Sequence, residues 1–133
     1  MGSEKNRVIN ERFYDAYLDF DEVLCGRLNV KEDGVKKYQI KMKECYTEAR
    51  DVIPEWDVVY ARLKAIRARH QNLTQGTAKF DEFQGKDEDV VWMQIFCEKL
   101  DADADPLSKY SKYSFEKRKH KGFFAKLMEA FSK

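Results

Sequence analysis

The chain has 133 residues, of which 43% are apolar and 37% charged, and its formal net charge is +1. That length suits one domain with a real core. The apolar fraction excludes wholesale disorder, and six Gly with two Pro are too few for a turn-rich β protein.

In chain order, Ile9, Phe13, Ala16, Tyr17, Phe20, Val23, Leu24 and Leu28 recur at helical spacing, with Asp15, Asp19 and Glu22 largely opposite. Residues 29–34 break that first helix. Val35, Tyr38, Met42, Cys45, Ala49 and Val52 form a three-four repeat, which predicts a second helix with a narrow seam. Pro54 lacks an N–H and fits only the first turn of a third helix. On that helix Trp56, Val59, Tyr60, Leu63, Ile66 and His70 share a side, and residues 72–76 end it. Phe80 and Phe83 belong to a short connector. Asp87 is the expected N-cap of a fourth helix with Val91, Trp92, Ile95, Phe96 and Leu100 on its apolar face. Asp105-Pro106 should stop it, because the residue before proline is driven from the helical region. The expected fold is all-α: an antiparallel bundle of four helices over residues 4–106, then a basic amphipathic C-terminal helix within 107–133.

Asp101, Asp103 and Asp105 alternate like the opening of a calcium loop. Pro106 and Lys112 stand where that loop needs glycine and a bidentate carboxylate, so no metal is expected there. Cys25, Cys45 and Cys97 are widely spaced and read as small apolar side chains rather than a zinc site or disulfide framework. No cofactor is implied. No run approaches the roughly 18 apolar residues of a spanning helix, and the N-terminus lacks a signal-peptide core. The expected location is therefore the bacterial cytoplasm, extending to a peripheral position at the inner face of the membrane.

Charge is segregated along the chain. Residues 1–106 carry seventeen Lys/Arg against twenty-two Asp/Glu, while residues 107–133 carry eight against two. Lys117, Arg118, Lys119, His120 and Lys121 precede Gly122. Beyond it Phe123, Phe124, Leu127, Met128 and Phe131 fall on one side of a helix, with Lys119, Lys126, Glu129 and Lys133 on the other. The contact residues expected from this pattern are Lys117, Arg118, Lys119, Lys121, Phe123, Phe124, Leu127 and Phe131. They suit an anionic bilayer surface or a partner protein's groove. Two other readings compete: folding back as a fifth helix of the same bundle, and nonspecific phosphate contacts with nucleic acid. An acidic body disfavours the last.

Three segments carry a family resemblance. The run L-K-A-I-R-A-R-H-Q-N at 63–72, followed by Thr74-Gln75-Gly76, resembles the R-N-x-R-N-x-x-x-H-x-x-G segment of small helical bacterial proteins with a HEPN-like bundle. That superfamily is named for higher eukaryotes and prokaryotes nucleotide-binding. Residues 87–110, with D-V-V-W at 89–92 and D-P-L at 105–107, are similar to the closing helix of such proteins. The G-F-F-A-K-L run at 122–127 is similar to the C-terminal membrane-targeting helices of bacterial division-site ATPases. In active HEPN ribonucleases an arginine pairs with a histidine four to six residues later, across a dimer interface. The resemblance implies Arg67 as that arginine, but Asn72 stands five residues on and His70 comes too early. Asparagine exchanges no protons near neutral pH. The expectation is thus a non-catalytic adaptor or regulatory module whose C-terminal helix touches a protein or an anionic membrane. The alternative is an RNA-binding protein or ribonuclease using Arg67, His70 and Asn72. A homodimer is a further expectation from the resemblance.

Overall fold

The computed structural model describes residues 2–74, 80, 82 and 84–117, and among these the chain is all-α, with no strand. Helices α1 (Gly2–Leu28), α2 (Gly34–Glu44), α3 (Tyr46–Val52), α4 (Trp56–Thr74) and α5 (Asp87–Asp101) follow in order. A sixth helix, α6, covers 106–117. α1 packs on α2, α5 and α4, while α4 also meets α2 and α3.

On α1 the side chains Phe13, Tyr17, Phe20 and Leu24 recur every three or four residues and are buried, as an apolar stripe on a 3.6-residue period requires. Gly34 opens α2 where it crosses α1. A Cβ built on it would lie 2.3 Å from the Asp21 carbonyl oxygen and 2.7 Å from the Cys25 amide nitrogen. Only glycine lets the two helices approach so closely. Beside it the Val35 N–H donates to Asp21 Oδ1 at 2.9 Å, so a side chain of α1 caps α2.

The helix expected to run to Val52 breaks at Cys45, whose φ of −96° and ψ of 4° divide α2 from α3. The apolar seam nonetheless continues across the break, since Val35, Tyr38, Met42 and Ala49 are all buried. Pro54 lies in the turn before α4, where its missing N–H costs nothing. α4 buries Trp56, Val59, Leu63, Ile66 and Leu73. The connector to α5 is tied down by Asn10, fully buried on α1. Its amide donates to the carbonyls of Phe80 (2.6 Å) and Glu82 (2.5 Å), and its Oδ1 accepts from the Gly85 N–H at 2.7 Å. Phe83, which the sequence places in this connector, lies outside the described residues.

α5 differs from expectation in two ways. Its N-cap is Lys86, with Asp87 inside the first turn. Its buried face is Asp89, Val90, Met93, Phe96 and Leu100, whereas Val91 and Ile95 are about half exposed. Asp105-Pro106 also acts in the opposite sense from a stop. α5 has already ended at Asp101, with Asp103 in the left-handed region at φ 54°. Asp105 then caps α6: its Oδ2 accepts from the Ser108 N–H at 3.3 Å, and Pro106 takes the first helical position. The Tyr38 hydroxyl donates to the same Oδ2 at 2.6 Å and accepts from the Leu107 N–H at 3.1 Å, which pins α6 to α2. Burial, then this bond to Asp105, pushes the Tyr38 hydroxyl far above the ordinary tyrosine range. The boundary expected at 106/107 thus falls within the first turn of α6, whose Leu107 and Tyr110 pack against the same core as Trp56 and Tyr38. No described helix is long and apolar enough to cross a membrane.

Candidate functional sites

Arg67 and His70 share one face of α4 because three residues span most of a helical turn. That face closes a cleft of about 510 Å³ opposite Tyr17 and Asp21 of α1 and Asp33 and Lys36 at the start of α2. The His70 ring stacks on Tyr17 with centroids 3.8 Å apart and planes 12° from parallel, and reaches Tyr14 at 5.5 Å. Its Nε2 is buried without a hydrogen-bond partner among the described residues. Burial lowers the His70 pKa, with Asp21 opposing, so the imidazole is held neutral. Burial also raises Tyr17, with Asp21 adding to it. Arg67 donates to Gln39 Oε1 at 3.1 Å.

The cleft thus contains a clamped, neutral histidine and an arginine already bonded to an amide. Asp21, Glu32 and Asp33 also line it, against Lys36 and Arg67. That balance does little to gather a phosphodiester, and the His70 Nε2 is buried. Asn72 does not line this cleft. Its amide donates to Gln84 Oε1 at 3.2 Å in the connector.

The neighbouring arginines serve another purpose. Arg62 and Arg69 both grip the fully buried carboxylate of Asp89, Arg62 Nη1 at 2.8 Å from Oδ1 and Arg69 Nη1 on Oδ2. Arg62 also lies over the Trp92 ring, 5.9 Å from its centroid. Arg62 and Arg69 therefore tie α4 to α5. Sequence reasoning missed Asp89 as their anion because the three residues are 27 and 20 positions apart.

Of the expected contact residues, Lys117 alone is described, and Arg118, Lys119, Lys121, Phe123, Phe124, Leu127 and Phe131 lie outside the described residues. Lys117 Nζ donates to Glu48 Oε1 at 2.8 Å, and the Tyr110 hydroxyl donates to Glu48 Oε2 at 3.0 Å. These hydrogen bonds hold Glu48 below the usual carboxylate range and Lys117 above the usual lysine range. Tyr110 packs edge-on against Trp56, and Lys109 Nζ reaches Glu55 Oε1 at 2.6 Å. The end of α6 is therefore fastened to α3 and the start of α4, and Phe115 stands 60% exposed beside it. The three cysteines are free and half-buried, and no group of His, Cys, Asp and Glu among the described residues is arranged for a metal ion.

These features define a small all-helical protein with a tethered basic end and a clamped histidine. The chain belongs to a family of unknown function, DUF6548, whose profile matches residues 11–129. No curated protein and no solved structure matches it.

Proposed function

We propose that this protein is a non-catalytic helical adaptor or regulatory module whose basic C-terminal segment contacts a partner protein or an anionic membrane surface. The observation that carries this reading is where basic charge is concentrated. Lys109 and Lys117 are used to fasten α6 to Glu55 and Glu48. The sixteen residues that follow, 118–133, hold five Lys/Arg against one Glu, with Phe123, Phe124, Leu127 and Phe131 among them. A fixed root followed by such a sequence presents a contact element at a defined place on the molecule. The reading includes an antiparallel arrangement of four principal helices, with α2 and α3 together as the second, and a cytoplasmic location.

The full chain is to be compared with a Lys119→Glu, Lys121→Glu, Phe124→Glu, Leu127→Glu variant. The measurements are flotation with vesicles rich in phosphatidylserine and quantitative affinity capture. Loss of vesicle or partner binding in the variant is the expected result. If all binding by the native chain survives the four changes, the reading is wrong.

The second reading, a HEPN-like RNA-binding protein or ribonuclease, is favoured by Arg67 and His70 sharing one cleft. RNA cleavage by the native chain that disappears with Arg67→Ala would establish it over the first.

A further inference from the structure

The side of the molecule formed by α1 and α5 has the opposite character from the C-terminal segment. These two helices together carry eleven Asp/Glu against five Lys/Arg. Between them runs a groove of about 280 Å³ with an apolar floor that includes Phe20, Val23, Met93 and Cys97. Val23 is 42% exposed there. Asp15 and Asp19 stand on its rim, both exposed and without an ion pair among the described residues, while the rim's Arg12 is neutralised by Asp87 at 2.8 Å. Burial, then the charges of Asp101 and Asp19, raises the Cys97 pKa.

We propose that this groove receives residues 118–133 of a second copy of the chain, exchanged reciprocally in a two-fold dimer. The proposal rests on the reading of that segment as the contact element and names its partner. Three observations select this occupant. The groove needs an apolar insert flanked by cations, and 118–133 supply Phe124, Leu127 and Phe131 with five Lys/Arg. The basic helices α2 and α4 each have four Lys/Arg against one Asp/Glu and would repel the same segment. The segment leaves α6 at Lys117 beside Glu48 of α3, and α3 packs on α4 rather than on the α1/α5 side. Reciprocal exchange also closes the assembly, since each copy offers one groove and one segment. A phosphate-rich surface of nucleic acid or membrane would meet the carboxylates of α1 and α5 and be turned away from this face.

The test uses sedimentation velocity on the full chain across a range of concentrations. The groove variant is Asp15→Lys with Asp19→Lys, at exposed positions the fold does not use, and the segment variant is Phe124→Glu with Leu127→Glu. Val58→Glu, at an exposed site on α4 away from the groove, is the control. The native chain and the control are expected to dimerise. Each double variant is expected to weaken dimerisation at least about tenfold, and mixing the two should restore a heterodimer through the one intact groove and segment.

A native chain that stays monomeric at every concentration overturns the proposal, as does a dimer indifferent to either variant. Sensitivity to the segment variant alone overturns the groove assignment. A segment variant that no longer binds vesicles or a partner, yet dimerises as the native chain does, sinks this inference and leaves the proposed function standing.

Discussion

At the residue scale, Asp89 is a fully buried charge held by two arginines. Its carboxylate is fully buried, whereas Arg62 and Arg69 keep 35% and 24% of their side chains in solvent. The consequences of breaking this tie are therefore unequal. Asp89→Asn leaves two arginines that water can still reach and keeps an acceptor in place, for an expected loss of about 1–3 kcal/mol. Arg62→Ala with Arg69→Ala strands a buried anion, and the expected loss is about 3–5 kcal/mol. Urea unfolding of both variants checks the order, and a larger loss for Asp89→Asn would contradict it. His70 sets a pH dependence of definite sign. Burial lowers its folded pKa below the ordinary 6.5, so the unfolded chain takes up the proton first as pH falls. The stability contributed by the neutral ring is complete above 6.5 and drains away as pH drops through the folded value. Unfolding free energy should thus fall from about pH 6.5 towards pH 5, and His70→Gln should flatten that slope. The nearness of Arg67 and His70 is legible from their spacing. The tyrosines that clamp the ring are not, because nothing in the order of residues says that Tyr14 and Tyr17 cross α4 at that point.

At the element scale, legibility follows how unambiguous each apolar stripe is. α1 and α4 have one oily face each, and Phe13, Tyr17, Phe20, Trp56, Leu63 and Ile66 are buried as their spacing requires. α5 reads D-V-V-W-M-Q-I-F at 89–96, apolar almost all round, so periodicity alone leaves its rotation open. Asp89 decides it by turning inward to Arg62 and Arg69, which leaves Val91 and Ile95 outside. The break at Cys45 carries no Gly or Pro to announce it. Asp105-Pro106 is visible as punctuation in the sequence, but its sense depends on Tyr38, far away along the chain. Two glycines make opposite predictions about helix packing. Gly34→Ala drives a methyl group into backbone atoms of α1 and should cost about 1–3 kcal/mol as the α1–α2 crossing is forced apart. A methyl group on Gly26 would have nothing within 4 Å, so Gly26→Ala should stabilise α1 by about 0.5–1 kcal/mol. Thermal unfolding of the pair measures both signs in one experiment.

At the scale of the whole molecule, the net charge of +1 conceals a strong separation: acidic α1 and α5, basic α2, and a basic end after α6. The fold and the surface should therefore respond differently to salt. Inside the fold, the tie at Asp89 is buried and weakly screened, and the described surface pairs such as Arg7–Glu11 and Lys109–Glu55 are individually worth little. Long-range attraction between an acidic face and a basic segment is different, because it acts through water and fades beyond a Debye length of about 10 Å at 0.1 M salt. Raising NaCl from about 0.05 M to about 0.5 M shortens that length more than threefold. The melting temperature should then shift by no more than about 1–2 °C, equivalent to well under 1 kcal/mol. Any association through residues 118–133 should weaken steeply over the same range. Melting curves and sedimentation recorded in the same buffers separate the two responses. Equal loss of both would mean that the separated charges hold the helices together instead of facing outward for a partner.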